Sequence, residues 1–311
     1  MTRAIILAAA LLFAAACGSS EDPNPNPSPS PSRNATPRAT TPASPDEGPG
    51  SVPVPWLKVI PSEENRINTS LYIALGDSLS AGVGASVYDQ KGFVPLVHDA
   101  LGPTFALLNL GIAGDTSTQM LREGTLDRAI IEINQRNHDD DPGNDVEVVT
   151  LEIGGNDLLD IFFDYVLTTG RCPNVEVGLQ RPECVDQLRG ALDRYEPNLD
   201  LILDRLREAD PDLEIFLLTL YNPWSGGDPA FSGLAELSLE GDPNTPFPEG
   251  LQDVIRRQAE ANGVHLVEIY PLFAGKANEY IASDKIHPND AGYQVMAEAV
   301  LSKMRDAGAI D

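Results

Sequence analysis

Apolar runs and amphipathic segments alternate along most of the chain. Five apolar runs, rich in strand-forming residues, occupy residues 71–76, 105–111, 146–153, 213–220 and 264–269. Stretches with helical spacing lie between and after them, near residues 93–101, 118–134, 185–209, 251–261 and 289–305. Continuous apolar strands that alternate with helices are typical of a parallel sheet covered on both faces. Because crossovers between parallel strands are right-handed, the pattern predicts an α/β fold with a doubly wound sheet.

The last helical stretch also predicts which side chains face the core. A helix buries the residues that recur at three- and four-residue spacing. In residues 289–305 we expect this face to carry Ala291, Val295, Ala299, Val300 and Met304.

The first 56 residues differ in composition from the rest of the chain. Arg3 precedes an apolar run over residues 4–16, which is too short to span a bilayer. The run ends in small residues before Cys17, as in bacterial lipoprotein signals whose cysteine is acylated, although a plain secretory signal would also fit. Residues 18–56 alternate proline with small polar residues and predict a disordered, extended tether. We therefore expect a signal peptide over residues 1–17, a tether over 18–56 and a folded domain over 57–311, exported and lipid-anchored to a bacterial membrane.

The net charge of the chain argues against one class of partner, the nucleic acids. Acidic residues number 47 and basic residues 21, which gives a formal net charge of -26. Such a field repels the phosphates of nucleic acids, so we expect no nucleic-acid partner.

Small and polar residues follow three of the predicted strands. Ser78 comes after the first strand, in Gly-Asp-Ser-Leu-Ser; Gly114 comes after the second and Asn156 after the third, in Gly-Gly-Asn-Asp. Open α/β sheets bind ligands at the carboxyl ends of their strands, which favours a serine nucleophile at this edge. Each position also has a structural alternative, because Asp77 and Ser78 could cap a helix, Gly114 could only turn the chain and Asn156 could cap the next helix.

A fourth block, Asp-Lys-Ile-His-Pro at residues 284–288, precedes the last helix. Taken in order, the four blocks resemble those of the SGNH hydrolases, also called GDSL esterases, over about residues 71–301. The resemblance implies a flavodoxin-like, five-stranded parallel sheet in the order 2-1-3-4-5, with helices on both faces. It also implies that Ser78 is the nucleophile, His287 the general base and Asp284 its orienting carboxylate. The backbone N–H groups of Ser78 and Gly114, with the side-chain amide of Asn156, would form the oxyanion hole.

The chemistry of these residue types agrees with those roles. A serine hydroxyl becomes a good nucleophile when a neighbouring base takes its proton, and histidine does this near neutral pH. Such a reaction needs no metal and no cofactor, and the four histidines lack the spacing of metal ligands. The acidic run at residues 139–145 lacks the EF-hand pattern and is interpreted as a solvated loop.

Two segments make the chain longer than compact members of that family. The first, about residues 168–182, contains Cys172 and is followed by Cys184; in an exported protein we expect these two cysteines to form a disulfide. The second, residues 222–250, is predicted to form an apolar wall or lid over an acyl pocket, or alternatively only to pack on the surface. Its apolar residues are Trp224, Phe231, Leu234, Leu237 and Phe247.

The sequence therefore predicts an extracytoplasmic serine esterase that hydrolyses carboxylic esters through an acyl-enzyme. A lipid ester or lysophospholipid is the expected substrate, and the membrane is a partner only through the N-terminal lipid anchor. A carbohydrate O-acetylesterase acting on envelope glycans, or a catalytically silent binding lipoprotein, would be the alternatives.

Overall fold

The computed structural model describes residues 56–58 and 69–310. The predicted signal peptide, the acylation site at Cys17 and all of the predicted tether except Trp56 lie outside the described residues. Trp56 itself begins a strand.

Six strands form one sheet. They are β1 (Trp56–Lys58), β2 (Ser70–Gly76), β3 (Phe105–Asn109), β4 (Val146–Glu152), β5 (Glu214–Leu218) and β6 (His265–Val267). Their order across the sheet is β1-β3-β2-β4-β5-β6. Strands β2 to β6 are parallel and, counted by themselves, have the order 2-1-3-4-5, which confirms the predicted topology. The short strand β1 pairs antiparallel with β3 at the edge and was not predicted.

Helices cover both faces of the sheet. The α-helices are Ser78–Ala81, Tyr88–Lys91, Phe93–Leu101, Ser117–Arg122, Thr125–Arg136, Gly155–Ile161, Val175–Leu179, Pro182–Ala209, Pro229–Glu240, Leu251–Ala261, Ala277–Tyr280 and Asp290–Ala307. A π-helix, Phe162–Thr168, continues the helix Gly155–Ile161, and a 3₁₀-helix spans Tyr270–Phe273. The single helix predicted near residues 118–134 is divided in two at Gly124, whose φ of 90° is left-handed and interrupts helical hydrogen bonding. None of the helices in the described ranges is both long and apolar enough to cross a membrane.

The predicted core face of the last helix was partly wrong. Val300 and Met304 are buried as expected, but Ala291 is exposed. The side chain of Tyr293 is fully buried, and its hydroxyl donates to the carbonyl oxygen of Val83 at 2.6 Å. An amphipathic tyrosine can enter a core when its hydroxyl has an acceptor there, and this rotates the buried face toward it.

The strands deliver polar residues to one edge of an otherwise apolar core. In the register between β2 and β4, Gly76 pairs with Glu152 at the carboxyl ends of both strands. Asp77, Ser78, Glu152, Asn156 and His287 are all buried, although each carries a polar or ionisable side chain. Buried polar groups need hydrogen-bond partners, so their arrangement at this edge marks the candidate site.

Candidate active site

Three side chains form a continuous hydrogen-bonded chain at the sheet edge. The Ser78 Oγ lies 2.9 Å from His287 Nε2, and His287 Nδ1 lies 2.8 Å from Asp284 Oδ2. Burial alone would raise the pKa of the Asp284 carboxyl, but the hydrogen bond and charge of His287, with two backbone N–H donors, outweigh it and leave that pKa below its usual value. An ionised Asp284 holds the imidazole with Nδ1 protonated and Nε2 free to accept the serine proton.

Ser78 owes its position to a sharp turn after β2. A Cβ on Gly76 would collide with the carbonyl oxygen of Glu152, so only glycine fits where the strand ends. Asp77 then caps the short helix Ser78–Ala81, because its Oδ1 accepts the backbone N–H of Leu79 at 3.0 Å. The helix-capping alternative is therefore correct for Asp77, while Ser78 directs its hydroxyl to the histidine.

His287 is held by an unusual turn over residues 284–287. Lys285, with φ of 70°, is the only non-glycine residue with positive φ in the described part of the chain. The turn brings the backbone N–H groups of Ile286 and His287 to Asp284 Oδ1, each at 3.0 Å. The hydroxyl of Tyr221 donates to the carbonyl oxygen of Ile286 at 2.8 Å, which fixes the turn to the segment after β5.

Asn156 does not cap the helix that begins beside it. Its Nδ2 donates to Asp77 Oδ2 at 3.0 Å and to the carbonyl oxygen of Asp115 at 2.8 Å. Gly114, with φ of 90°, directly precedes Asp115 in the loop after β3. The Asn156 amide thus joins the turn after β2 to the loop that contains Gly114, and both of its hydrogens are in use.

A second connection joins the loops after β3 and β4. The Asp157 carboxylate accepts the backbone N–H of Ser117 at 2.9 Å and its hydroxyl at 2.7 Å. At the end of β3, Asn109 Nδ2 donates to the carbonyl oxygen of Ser80, in the short helix after β2, at 2.7 Å. These bonds fix the loops that follow β2, β3 and β4 relative to one another.

A buried pair of carboxyl groups lies behind Ser78. Glu152 is fully buried, and its carboxyl group lies beside the side chain of Asp77. Two buried carboxylates side by side repel each other, which favours a proton on the pair. Burial, together with the neighbouring Asp77 charge, raises the pKa of Glu152 well above its ordinary value, and burial also raises that of Asp77.

We assign this proton to Glu152. Asp77 accepts hydrogen bonds from the backbone N–H of Leu79 and from the amide of Asn156, and both bonds stabilise its ionised form. Glu152 was missed in the sequence analysis, although a lone acidic residue near the end of an apolar strand was a visible signal.

An apolar cavity of about 100 Å³ opens beside Ser78 and His287. The polar groups gather at one end, where Asp77 and Asn156 also contribute. Its apolar walls include Leu79, Leu158, Leu159, Phe162, Leu220, Trp224, Leu239 and Ile286. Segment 222–250 contributes to these walls, but of its five apolar residues singled out above only Trp224 reaches this cavity.

Cys172 and Cys184 form a disulfide, with a Cα–Cα distance of 6.1 Å. The bond ties the segment after the π-helix to the start of the helix Pro182–Ala209. As for metals, the described ranges contain no group of three or more His, Cys, Asp or Glu side chains placed to hold an ion.

Comparison with known proteins agrees with the fold and the motif blocks. The model of the GDSL-like Lipase/Acylhydrolase family matches residues 74–295, most of the chain. The chain belongs to this family. It is an esterase or lipase of the GDSL type, and the four sequence blocks used above all fall inside the matched range.

Three known proteins resemble the chain over most of its length. The spore germination lipase LipC of Bacillus licheniformis is 25% identical over 244 residues, which cover 77% of this chain and 97% of LipC. Among solved structures, the lipase Lip_vut3 from a goat rumen metagenome has a TM-score of 0.53 at 21% identity, covering 76% of this chain and 97% of that protein. Phospholipase A1 from Streptomyces albidoflavus NA297 has a TM-score of 0.51, also at 21% identity, covering 76% and 99%. The two structures show a shared fold.

Proposed function

We propose that this GDSL esterase hydrolyses lipid esters, with lysophospholipids as the first candidate, through an acyl-enzyme on Ser78. The observation that carries the proposal is the hydrogen-bonded chain from Ser78 through His287 to Asp284, which opens into an apolar cavity. The proposed nucleophile is thereby hydrogen-bonded to its base, and the base is hydrogen-bonded to the group that orients it.

The reaction would proceed in two displacements. His287 Nε2 takes the Ser78 proton as Oγ attacks the ester carbonyl carbon, and the tetrahedral intermediate carries a negative oxygen. His287 then returns the proton to the departing alcohol, which leaves an acyl group on Ser78. In the second displacement His287 takes a proton from water as the water attacks the acyl-enzyme. The proton then passes to Ser78 Oγ, and the carboxylic acid leaves.

The oxyanion would receive hydrogen bonds from the backbone N–H groups of Ser78 and Gly114 and from the Asn156 amide. Since Asn156 Nδ2 donates to Asp77 and to the Asp115 carbonyl, one of these bonds must be shared or exchanged when the oxyanion forms. Donors that strengthen only as charge develops favour the transition state over the bound substrate.

The walls of the cavity favour an acyl group larger than acetyl. An acetyl ester of a glycan needs little apolar space but requires polar partners for its sugar, whereas this cavity offers leucine and aromatic surface away from the catalytic groups. The curated relative LipC is also named a lipase.

We further propose that the enzyme is exported and anchored to a bacterial membrane by acylation of Cys17. The support is the sequence around this cysteine and the proline-rich residues that follow it. In a bacterial host, Cys17→Ser should move the protein from the membrane to the soluble fraction. Retention of the variant on membranes would contradict the anchor.

Fluorophosphonate labelling tests the proposed nucleophile. The purified protein should be labelled on Ser78, and Ser78→Ala should abolish labelling and lower hydrolysis of p-nitrophenyl butanoate by on the order of 10⁴-fold or more. The circular dichroism spectrum of the variant should match that of the parent. An unlabelled protein without esterase activity would instead favour the silent binding lipoprotein.

A further inference from the structure

A second apolar cavity, of about 50 Å³, lies next to the one at the catalytic groups. Leu158, Phe162 and Ser238 line both cavities and therefore form the partition between them. The walls of the second cavity also include Tyr165, Val175, Val185, Leu188, Leu234, Leu237 and Phe247, with both cysteines of the disulfide. None of its lining residues is charged.

Phe162 is the largest side chain of the partition. Its ring stacks on Trp224 at 4.6 Å between centroids and meets Phe231 edge-on at 5.4 Å. Phe162 stands where the α-helix changes to a π-helix, a rare conformation that is frequent at functional sites. The hydroxyl of Ser238 donates to the carbonyl oxygen of Leu234 within its own helix at 2.8 Å, so this polar atom needs no partner from a ligand.

The carboxyl, amide and imidazole side chains of the two cavities all line the first one. Ser78, Asn156 and His287 lie at the first cavity and none of them reaches the second. A ligand that matches this distribution has a reactive ester at one end and an uncharged hydrocarbon chain at the other. A sugar or a charged head group would lose hydration in the second cavity with little to replace it.

We propose that the second cavity is the distal acyl subsite, and that Phe162 separates short acyl chains, which end in the first cavity, from longer chains, which pass the partition. The inference rests on the proposed function, because it assigns the acyl group of the same reaction. Each methylene that moves from water into the apolar subsite should raise kcat/KM about fourfold, until the space is filled.

The test is a chain-length series of p-nitrophenyl esters from acetate to dodecanoate, each used below its micellar concentration. The readout is the ratio of kcat/KM for the long ester to that for butanoate, because the ratio does not depend on the fraction of active enzyme. Val185 is buried and lines only the second cavity. Val185→Phe fills this space and should lower the dodecanoate-to-butanoate ratio at least tenfold.

Two further variants distinguish a filled subsite from a misfolded protein. Phe162→Ala removes the partition and should raise the same ratio. Leu201→Phe changes an exposed residue of the helix that carries Val185 and should leave the ratio within twofold. A ratio that neither Val185→Phe nor Phe162→Ala changes would overturn the distal subsite.

The outcomes also separate this inference from the proposed function. If butanoate is hydrolysed but the parent enzyme gains nothing from longer chains, the distal subsite is wrong and the ester hydrolase remains. If no ester is hydrolysed and Ser78 stays unlabelled, the proposed function itself fails.

Discussion

Replacing Glu152 with glutamine tests the proton that we assign to the buried carboxyl pair. The assignment implies that native Glu152 keeps its proton at pH values where an unfolded glutamate, with the ordinary pKa of 4.5, has lost it. Between pH 4.5 and the native pKa of Glu152, the native state then binds up to one proton more than the unfolded state. Glutamine has nearly the same shape, donates from its amide to Asp77 and does not titrate.

The sign and size of the effect follow from linkage. A carboxyl whose pKa is raised by folding costs stability as pH rises above the unfolded value of 4.5. This loss continues until the pH reaches the native pKa, at about 1.4 kcal/mol per pH unit for one proton. The free energy of unfolding of Glu152→Gln, minus that of the parent, should therefore rise as the pH increases from 4.5, and it should stop rising at the native pKa of Glu152.

Urea unfolding at constant ionic strength measures this difference. A second variant, Glu152→Leu, separates the proton from the hydrogen bond, because leucine neither titrates nor donates. It should show the same change of slope but lie about 1–3 kcal/mol below Glu152→Gln at every pH, since Asp77 loses a donor. If the free energies of unfolding of the parent and Glu152→Gln change in parallel from pH 4.5 upward, the pair does not hold the extra proton.

Three other variants test the site and its surroundings. Asn156→Ala should lower kcat by roughly 10²- to 10³-fold with little change in KM. It should also lower the free energy of unfolding by about 1–3 kcal/mol, because Asp77 loses a hydrogen-bond donor. A variant whose kcat stays near that of the parent would contradict the oxyanion role of Asn156. Replacing Cys172 and Cys184 together with alanine should cost roughly 3 kcal/mol of stability in urea; an unchanged midpoint at unchanged slope would mean that the bond adds nothing. Lys285→Gly should raise the melting temperature, because glycine relieves a left-handed φ at a gain of about 0.5–1 kcal/mol; a lower melting temperature would show that the lysine side chain contributes more than the strain costs.

The parts of the structure that followed from the sequence were those with local signals. The five parallel strands are apolar runs bounded by glycine or polar residues, and the order predicted from the family resemblance is confirmed. The helix Pro229–Glu240 was missed inside segment 222–250, although it too has a local signal. Asp228 caps it by accepting the backbone N–H of Ala230 at 2.9 Å, and proline follows at the first helical position.

Other features depend on partners that are distant in sequence. Glu152 acquires its role only because the register of β2 and β4 places Gly76 and Asp77 beside it. No local pattern indicates that a carboxyl group will meet another one from a different strand. The second cavity is a similar case, since its walls come from the helices on either side of the disulfide and from the helix after β5.

The proposed catalytic groups and the proposed acyl-chain contacts therefore depend on different parts of this chain. Ser78, Gly114 and Asn156 stand just beyond the carboxyl ends of strands, two of them in the first turn of a helix, and hydrogen bonds between these segments limit how far they can move. The second cavity instead depends on apolar packing beyond the sheet. There, replacing one side chain changes the volume of the cavity without breaking a hydrogen bond to Ser78, His287 or Asn156. Substitutions such as Val185→Phe and Asn156→Ala should thus have different effects, the first on chain-length preference and the second on kcat for every ester, because one fills space beyond the partition and the other removes a donor to the oxyanion.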